Sequence, residues 1–142
     1  MVGGRWNPRE SFSVLYLGLD ERTSVDEFHR LVRRQARSIA DFLPRTLFRY
    51  DLALEDVLDL RTPAALDAVG LSLDHVRSDD LSACQNVGEA AHHGGREGIL
   101  APSAAGGGDV LALFIDRLRP GSSLTPVKLS EWIASADVPS PS

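Results

Sequence analysis

The hydrophobic pattern of residues 12–19 departs from simple alternation, because Leu15, Leu17 and Leu19 make a second face apolar. A segment that is apolar on both faces predicts a strand buried inside a sheet. Clearer alternation and short apolar runs between turn residues predict further strands later in the chain. The predicted strands are residues 12–19, 46–54, 98–101 and 110–116, with residues 124–132 as an edge strand or an irregular segment.

Apolar residues at helical spacing follow the first strand. Ser24 and Glu27 have the spacing of a capping box, which predicts a helix that begins at Ser24 and ends at residues 41–44. The apolar stripe of this helix leaves four arginines on its outer side, namely Arg30, Arg33, Arg34 and Arg37. Cap and stop residues predict two more helices, over residues 62–70 and from residue 78 or 79 to 93.

Strands and helices mixed at this spacing predict a single α/β or α+β domain over residues 1–142. The chain is long enough to bury one core without disulfides or metals. Residues 138–142 form a C-terminal tail that we expect to fray.

Net charge and cysteine content exclude several classes of protein and of metal site. The net charge is −5 over 142 residues, which argues against a dedicated nucleic-acid-binding protein. A single cysteine, Cys84, excludes an internal disulfide and a multi-cysteine zinc site and predicts a reducing, cytoplasmic setting. The longest apolar run, residues 110–115, is too short to span a membrane, and the N-terminus has no signal-peptide pattern.

The N-terminal motif Gly3-Gly4-Arg5-Trp6-Asn7-Pro8 is the first candidate site. Its glycines let a ligand approach the backbone closely, and Arg5 can hold a phosphate or carboxylate through two parallel hydrogen bonds. Trp6 can add a stacking face. The alternative interpretation is an N-terminal turn that carries an exposed arginine.

Three further residues have structural interpretations that are simpler than a functional one. Tyr16 fits a core tyrosine whose hydroxyl is satisfied, and Glu27 fits the capping box. Ser103 follows a predicted buried strand but lacks the Gly-x-Ser-x-Gly elbow of hydrolases. Adjacent His92 and His93 point about 100° apart on a helix, so we expect no metal site.

Taken together, these residues resemble the RES-domain family of bacterial toxins. The resemblance lies in the N-terminal motif, in Tyr16 eleven residues after Arg5, and in Glu27 eleven residues after Tyr16. It continues through Gln85 and Gly88, through residues 98–104 and through the strand at residues 110–114. The ordered set covers nearly the whole chain.

The resemblance implies a compact ADP-ribosyltransferase-like domain with a central mixed sheet flanked by helices. It implies cleavage of the nicotinamide–ribose bond of NAD⁺ by phosphorolysis or hydrolysis, with NAD⁺ as substrate, inorganic phosphate as a candidate co-substrate and no cofactor. The implied catalytic residues are Arg5, Tyr16, Glu27 and Ser103, and the implied substrate-binding residues are Gly4, Arg5, Trp6, Asn7 and Gln85.

The resemblance also implies a partner, a helix-turn-helix antitoxin of the Xre type, and neither a membrane nor a nucleic acid is expected to bind directly. Family members usually carry a strand and another arginine before the Gly-Gly-Arg motif, so we expect this chain to be short at its N-terminus. Two alternatives stay open: a non-catalytic module that binds an antitoxin, and an ADP-ribosyltransferase that modifies a protein.

Overall fold

A computed structural model of the protein describes residues 3–142 and contains two β-sheets. The larger sheet has four strands in the spatial order Val14–Gly18 (β1), Asp109–Phe114 (β5), Gly98–Pro102 (β4) and Val57–Asp59 (β3). The smaller sheet pairs Arg45–Ala53 (β2) with Ser123–Trp132 (β6). The helices are Glu21–Arg34 (α1), Pro63–Ala68 (α2), Leu73–Arg77 (α3) and Ser82–His93 (α4).

The larger sheet is mixed, as the family resemblance implies. Strand β5 pairs antiparallel with both β1 and β4, whereas β3 runs parallel to β4. The predicted mixed α/β fold is therefore confirmed. Strand β3 and helix α3 are short elements that the sequence pattern did not predict.

Helix α1 begins earlier than predicted and is capped by a different residue. Its N-cap is Asp20, whose Oδ1 accepts a 2.7 Å hydrogen bond from the main-chain N–H of Thr23. The predicted start at Ser24 is therefore wrong, because a carboxylate four residues earlier already satisfies the first turn. Glu27 lies inside the helix and is free of any capping role.

The same helix also ends before the predicted stop at residues 41–44. Its last residue is Arg34, and Ala36 adopts a left-handed backbone with φ of 49°. A separate 3₁₀ turn, Ile39–Phe42, follows. Helix α4 begins at Ser82 rather than at residue 78 or 79, because Asp80 folds the preceding segment into a turn by accepting from the N–H and hydroxyl of Ser82.

Two apolar clusters fix the positions of these elements. The larger packs the four-stranded sheet against α2, α3 and α4, and it includes Trp6, Leu60, Ile99 and Phe114. The smaller joins α1 to β6 through Val25, Phe28, Val32 and Trp132. The two-stranded sheet is therefore attached to α1, and a groove remains between it and the larger sheet.

The tail for which fraying is predicted contacts α1. The main-chain N–H and the hydroxyl of Ser142 each donate a 2.8 Å hydrogen bond to the carboxylate of Asp26, and the Pro139 carbonyl lies 2.7 Å from the His29 ring. Within residues 3–142, no helix is long and apolar enough to cross a membrane.

Candidate active site

The N-terminal motif forms a closed turn at one end of the groove. The main-chain N–H of Gly4 donates to the carbonyl oxygen of Asn7 at 2.9 Å and to its side-chain Oδ1 at 3.0 Å. The Asn7 amide in turn donates to the carbonyl of Phe12 at 3.0 Å. The turn therefore holds Arg5 at its tip, beside the groove.

Tyr16 locks this turn to strand β1. Its hydroxyl donates to Asn7 Oδ1 at 2.5 Å and accepts from the main-chain N–H of Trp6 at 2.9 Å. A Cβ at Gly4 would approach that hydroxyl to 2.5 Å, so only glycine fits there. Burial of the hydroxyl raises the pKa of Tyr16 to about 12, although the nearby Trp6 N–H and Arg5 lower it somewhat.

Helix α4 supports the same turn from behind. Gln85 Nε2 donates to the carbonyl of Gly4 at 2.8 Å. One helical turn later, a Cβ at Gly88 would lie only 1.8 Å from the Trp6 carbonyl oxygen, so the helix and the turn pack backbone to backbone. The side-chain amide of Gln85 is thus used within the protein.

The Trp6 side chain is buried in the core and is not exposed for stacking against a ligand. It is 1% exposed and belongs to the larger core. Its indole ring therefore anchors the turn, and the prediction that it offers a stacking face to a ligand is corrected. Asn7 is also buried, and its amide and carbonyl groups are paired within the turn and with Tyr16 and Phe12. Both side chains therefore make contacts that hold the turn in place.

Glu27 and Ser103 form a direct pair. The hydroxyl of Ser103 donates to Glu27 Oε1 at 2.6 Å, and it accepts from the main-chain N–H of Ala105 at 3.0 Å. Ser103 is fully buried at the end of β4, and its own N–H donates to the Gly108 carbonyl. The pair fixes the Glu27 carboxylate at the groove, where the proton of Ser103 points toward it.

A groove of about 1170 Å³ connects these groups. It lies between β1 and the two-stranded sheet, and its volume suits a ligand of dinucleotide size better than a small metabolite. Of the four catalytic candidates, Arg5, Tyr16 and Glu27 line it directly, and Ser103 is reached through Glu27. The structure therefore brings together residues that lie far apart in the sequence.

Four further arginines that the sequence pattern does not assign to the groove line it, namely Arg30, Arg34, Arg45 and Arg49. Arg30 was predicted on the outer side of α1, but its side chain is only 14% exposed and lines the groove. Its position three residues after Glu27 could have revealed this, since residues three apart share a helix face. Among residues 3–142, no three His, Cys, Asp or Glu side chains gather closely enough to hold a metal ion.

Comparisons with known proteins agree with the sequence motifs. The RES domain family matches residues 1–135 of the chain. The NAD(+) phosphorylase MbcT of Mycobacterium tuberculosis and its Mycobacterium bovis counterpart are each 37% identical to this chain, and the match covers 94% of it and 76% of the relative.

A solved structure extends this similarity to three dimensions. A chain of the M. tuberculosis MbcT–MbcA toxin–antitoxin complex superimposes with a TM-score of 0.69 at 36% identity, covering 89% of this chain and 72% of that one. The family match spans the Gly-Gly-Arg turn, Tyr16, Glu27 and Ser103. The chain belongs to the RES-domain family.

Proposed function

We propose that this chain is the toxin of a toxin–antitoxin pair and cleaves the bond between nicotinamide and ribose in NAD⁺. The observation that carries the proposal is the shared groove, in which Arg5, Tyr16 and the Glu27–Ser103 pair meet in a RES-domain chain. The curated relatives named NAD(+) phosphorylase support phosphate as the acceptor, with water as the alternative acceptor.

Cleavage of the nicotinamide–ribose bond does not require a proton to be transferred to the leaving group. The nicotinamide nitrogen is cationic in NAD⁺, so when the C–N bond breaks its electron pair stays on nitrogen and nicotinamide leaves neutral. Positive charge develops on the ribose, and the Glu27 carboxylate stabilises it electrostatically. Attack of a phosphate oxygen on that carbon gives ADP-ribose-1″-phosphate; attack of water gives ADP-ribose and a proton.

The other residues bind and orient the substrate in this proposal. Arg5 holds a phosphate group through its planar guanidinium. Tyr16 packs against the substrate with its exposed ring edge while its hydroxyl keeps the turn closed. Ser103 orients Glu27. Gly4, Trp6, Asn7 and Gln85 act through the position that they give to Arg5 and Tyr16.

The experiment is an NAD⁺-consumption assay on the purified chain, with and without inorganic phosphate. Phosphate-dependent loss with ADP-ribose-1″-phosphate as product supports a phosphorylase, and equal loss in both conditions supports a hydrolase. Loss that labels an added protein would instead identify a protein ADP-ribosyltransferase. An unchanged NAD⁺ concentration would favour the non-catalytic module and contradict the proposal.

The proposed partner is a helix-turn-helix antitoxin of the Xre type whose C-terminal part covers the groove. The solved toxin–antitoxin complex supports an antitoxin partner. The positive charges of Arg5, Arg30 and Arg34 along the groove suit an acidic or carboxylate-bearing segment. Such a complex should not bind NAD⁺, and its affinity should fall as salt rises. Since NAD⁺ is abundant in the cytoplasm, the proposed activity belongs there.

A further inference from the structure

Arg30 is a groove residue to which the proposed reaction assigns no role. It lies three residues after Glu27 on α1, and its side chain is largely buried. Burial lowers its pKa, and the positive charges of Arg5 and Arg34 lower it further. Arg30 and Arg5 are therefore neighbours that repel each other at the same groove.

The charge of Arg5 has weak compensation inside the protein. Its Nη1 donates to the His75 carbonyl at 3.4 Å, a long hydrogen bond, and its buried Nη2 has no hydrogen-bond partner within residues 3–142. The adjacent thiol of Cys84 is a poor acceptor, and burial raises its pKa, which favours the neutral form. A buried guanidinium N–H without an acceptor costs free energy, so the charge of Arg5 is incompletely compensated within the protein.

The charge of Arg30 is also poorly compensated. Its ion pair, with Asp79, has a long N–O distance of 3.5 Å. The Asp79 side chain is 89% exposed, so water screens the pair and it contributes little. Glu27 attracts Arg30 as well, but its Oε1 already accepts from Ser103. Among the arginines that line the groove, Arg5 and Arg30 thus both carry a weakly compensated charge.

We propose that Arg5 and Arg30 together form a cradle for one phosphoryl group, which makes Arg30 a substrate-binding residue. A phosphoryl dianion removes the repulsion between the two guanidinium groups and supplies the oxygen acceptors that they lack. The inference rests on the proposed function, because the phosphoryl group belongs either to inorganic phosphate as co-substrate or to the pyrophosphate of NAD⁺. Both sources have the same recognition chemistry.

The test compares Arg30→Gln and Arg30→Lys with Arg33→Gln. Arg33 is the matched control, since it is an exposed arginine on the same helix, outside the groove, and its replacement changes the net charge equally. Steady-state assays yield KM separately for phosphate and for NAD⁺. Loss of charge-assisted hydrogen bonds should raise one of these constants about 10- to 100-fold in both Arg30 variants, with Arg33→Gln near the wild type.

A rise in KM for phosphate places inorganic phosphate in the cradle, and a rise for NAD⁺ places the pyrophosphate there. The inference is overturned if the Arg30 variants keep both KM values within about twofold of wild type, or if Arg33→Gln raises KM equally. Calorimetric titration of wild type, Arg30→Lys and Arg33→Gln with phosphate and with ADP-ribose separates this result from the proposed function. Binding weakened only in Arg30→Lys supports the cradle even if no NAD⁺ is consumed, and unchanged binding refutes it.

Discussion

Ser103 Oγ donates a 2.6 Å hydrogen bond to Glu27 Oε1, and this bond joins a loop after β4 to a helix 76 residues earlier in the chain. Ser103 donates to Oε1 and not to Oε2 of Glu27, and the bond fixes the orientation of the carboxylate. Because the Ser103 hydroxyl also accepts from the Ala105 N–H, its proton has a defined direction toward Glu27. The pair is thus a fixed negative charge facing a groove that also carries positive charge.

Glu27→Gln should abolish NAD⁺ cleavage while the protein stays folded. The glutamine carbonyl can still accept from Ser103, so the fold is kept, but the negative charge that stabilises the transition state is lost. Removal of such a group costs on the order of a hundredfold or more in rate. Turnover and thermal unfolding should be measured beside Glu89→Gln, an exposed position on α4. Near-native turnover would mean that Glu27 serves only to hold Ser103.

Arg5→Lys should fail almost as badly as Arg5→Ala. Lysine keeps the charge but lacks the planar pair of donors that matches a phosphate. The expected loss in kcat/KM for NAD⁺ is about tenfold or more in both variants, and Arg9→Lys at a nearby exposed position should change little. Recovery of activity by lysine would show that Arg5 supplies only a diffuse positive field.

Gly88→Ala should destabilise the protein and reduce activity, although alanine is the better helix former by about 1 kcal/mol. The new Cβ would lie 1.8 Å from the Trp6 carbonyl and would push the turn that carries Arg5. Gly107→Ala is the control, because a Cβ there meets nothing within 4 Å. Thermal unfolding and kcat/KM report the two effects; a more stable and fully active Gly88→Ala protein would contradict this packing.

Parts of the fold and of the site are predictable from local sequence patterns, whereas others depend on tertiary packing. The strands near residues 46–54 and 98–101 were predictable because their apolar patterns are local. The burial of Trp6 was not predictable from the sequence. An indole beside an arginine is also typical of a ligand-binding surface, and only the folded core shows that this indole is buried. The position of Arg30 is predicted wrongly because the apolar stripe of the helix places it on the outer side, whereas tertiary packing makes it line the groove.

Glu97 should make the stability of the protein depend on acid pH. Burial alone raises the pKa of its carboxyl, but hydrogen bonds from the main-chain N–H groups of Arg119, Asp56 and Glu55 outweigh burial and lower it to about 2. A lowered folded-state pKa gives stability that is present above the usual value of 4.5 and is lost as the pH falls toward 2.

Glu97→Gln should therefore lower the free energy of unfolding at pH 7 by roughly 1.5–3 kcal/mol, the range for hydrogen bonds to a charged group. The gap between variant and wild type should narrow as the pH falls below 4.5. Denaturant unfolding from pH 7 to pH 3 measures this, with Glu89→Gln as the exposed control. A gap that is constant with pH would show that the charge of Glu97 is not the source of this stability.

The most direct test of the proposed site is product analysis after incubation of the purified chain with NAD⁺ and ¹⁸O-labelled phosphate. Cleavage at the nicotinamide–ribose bond predicts equal amounts of nicotinamide and an ADP-ribosyl product. Mass spectrometry should find the labelled phosphate in that product if phosphate is the acceptor, and unlabelled ADP-ribose if water is. Intact NAD⁺, or AMP with nicotinamide mononucleotide from pyrophosphate cleavage, would contradict the assignment of Arg5, Tyr16, Glu27 and Ser103 to this reaction.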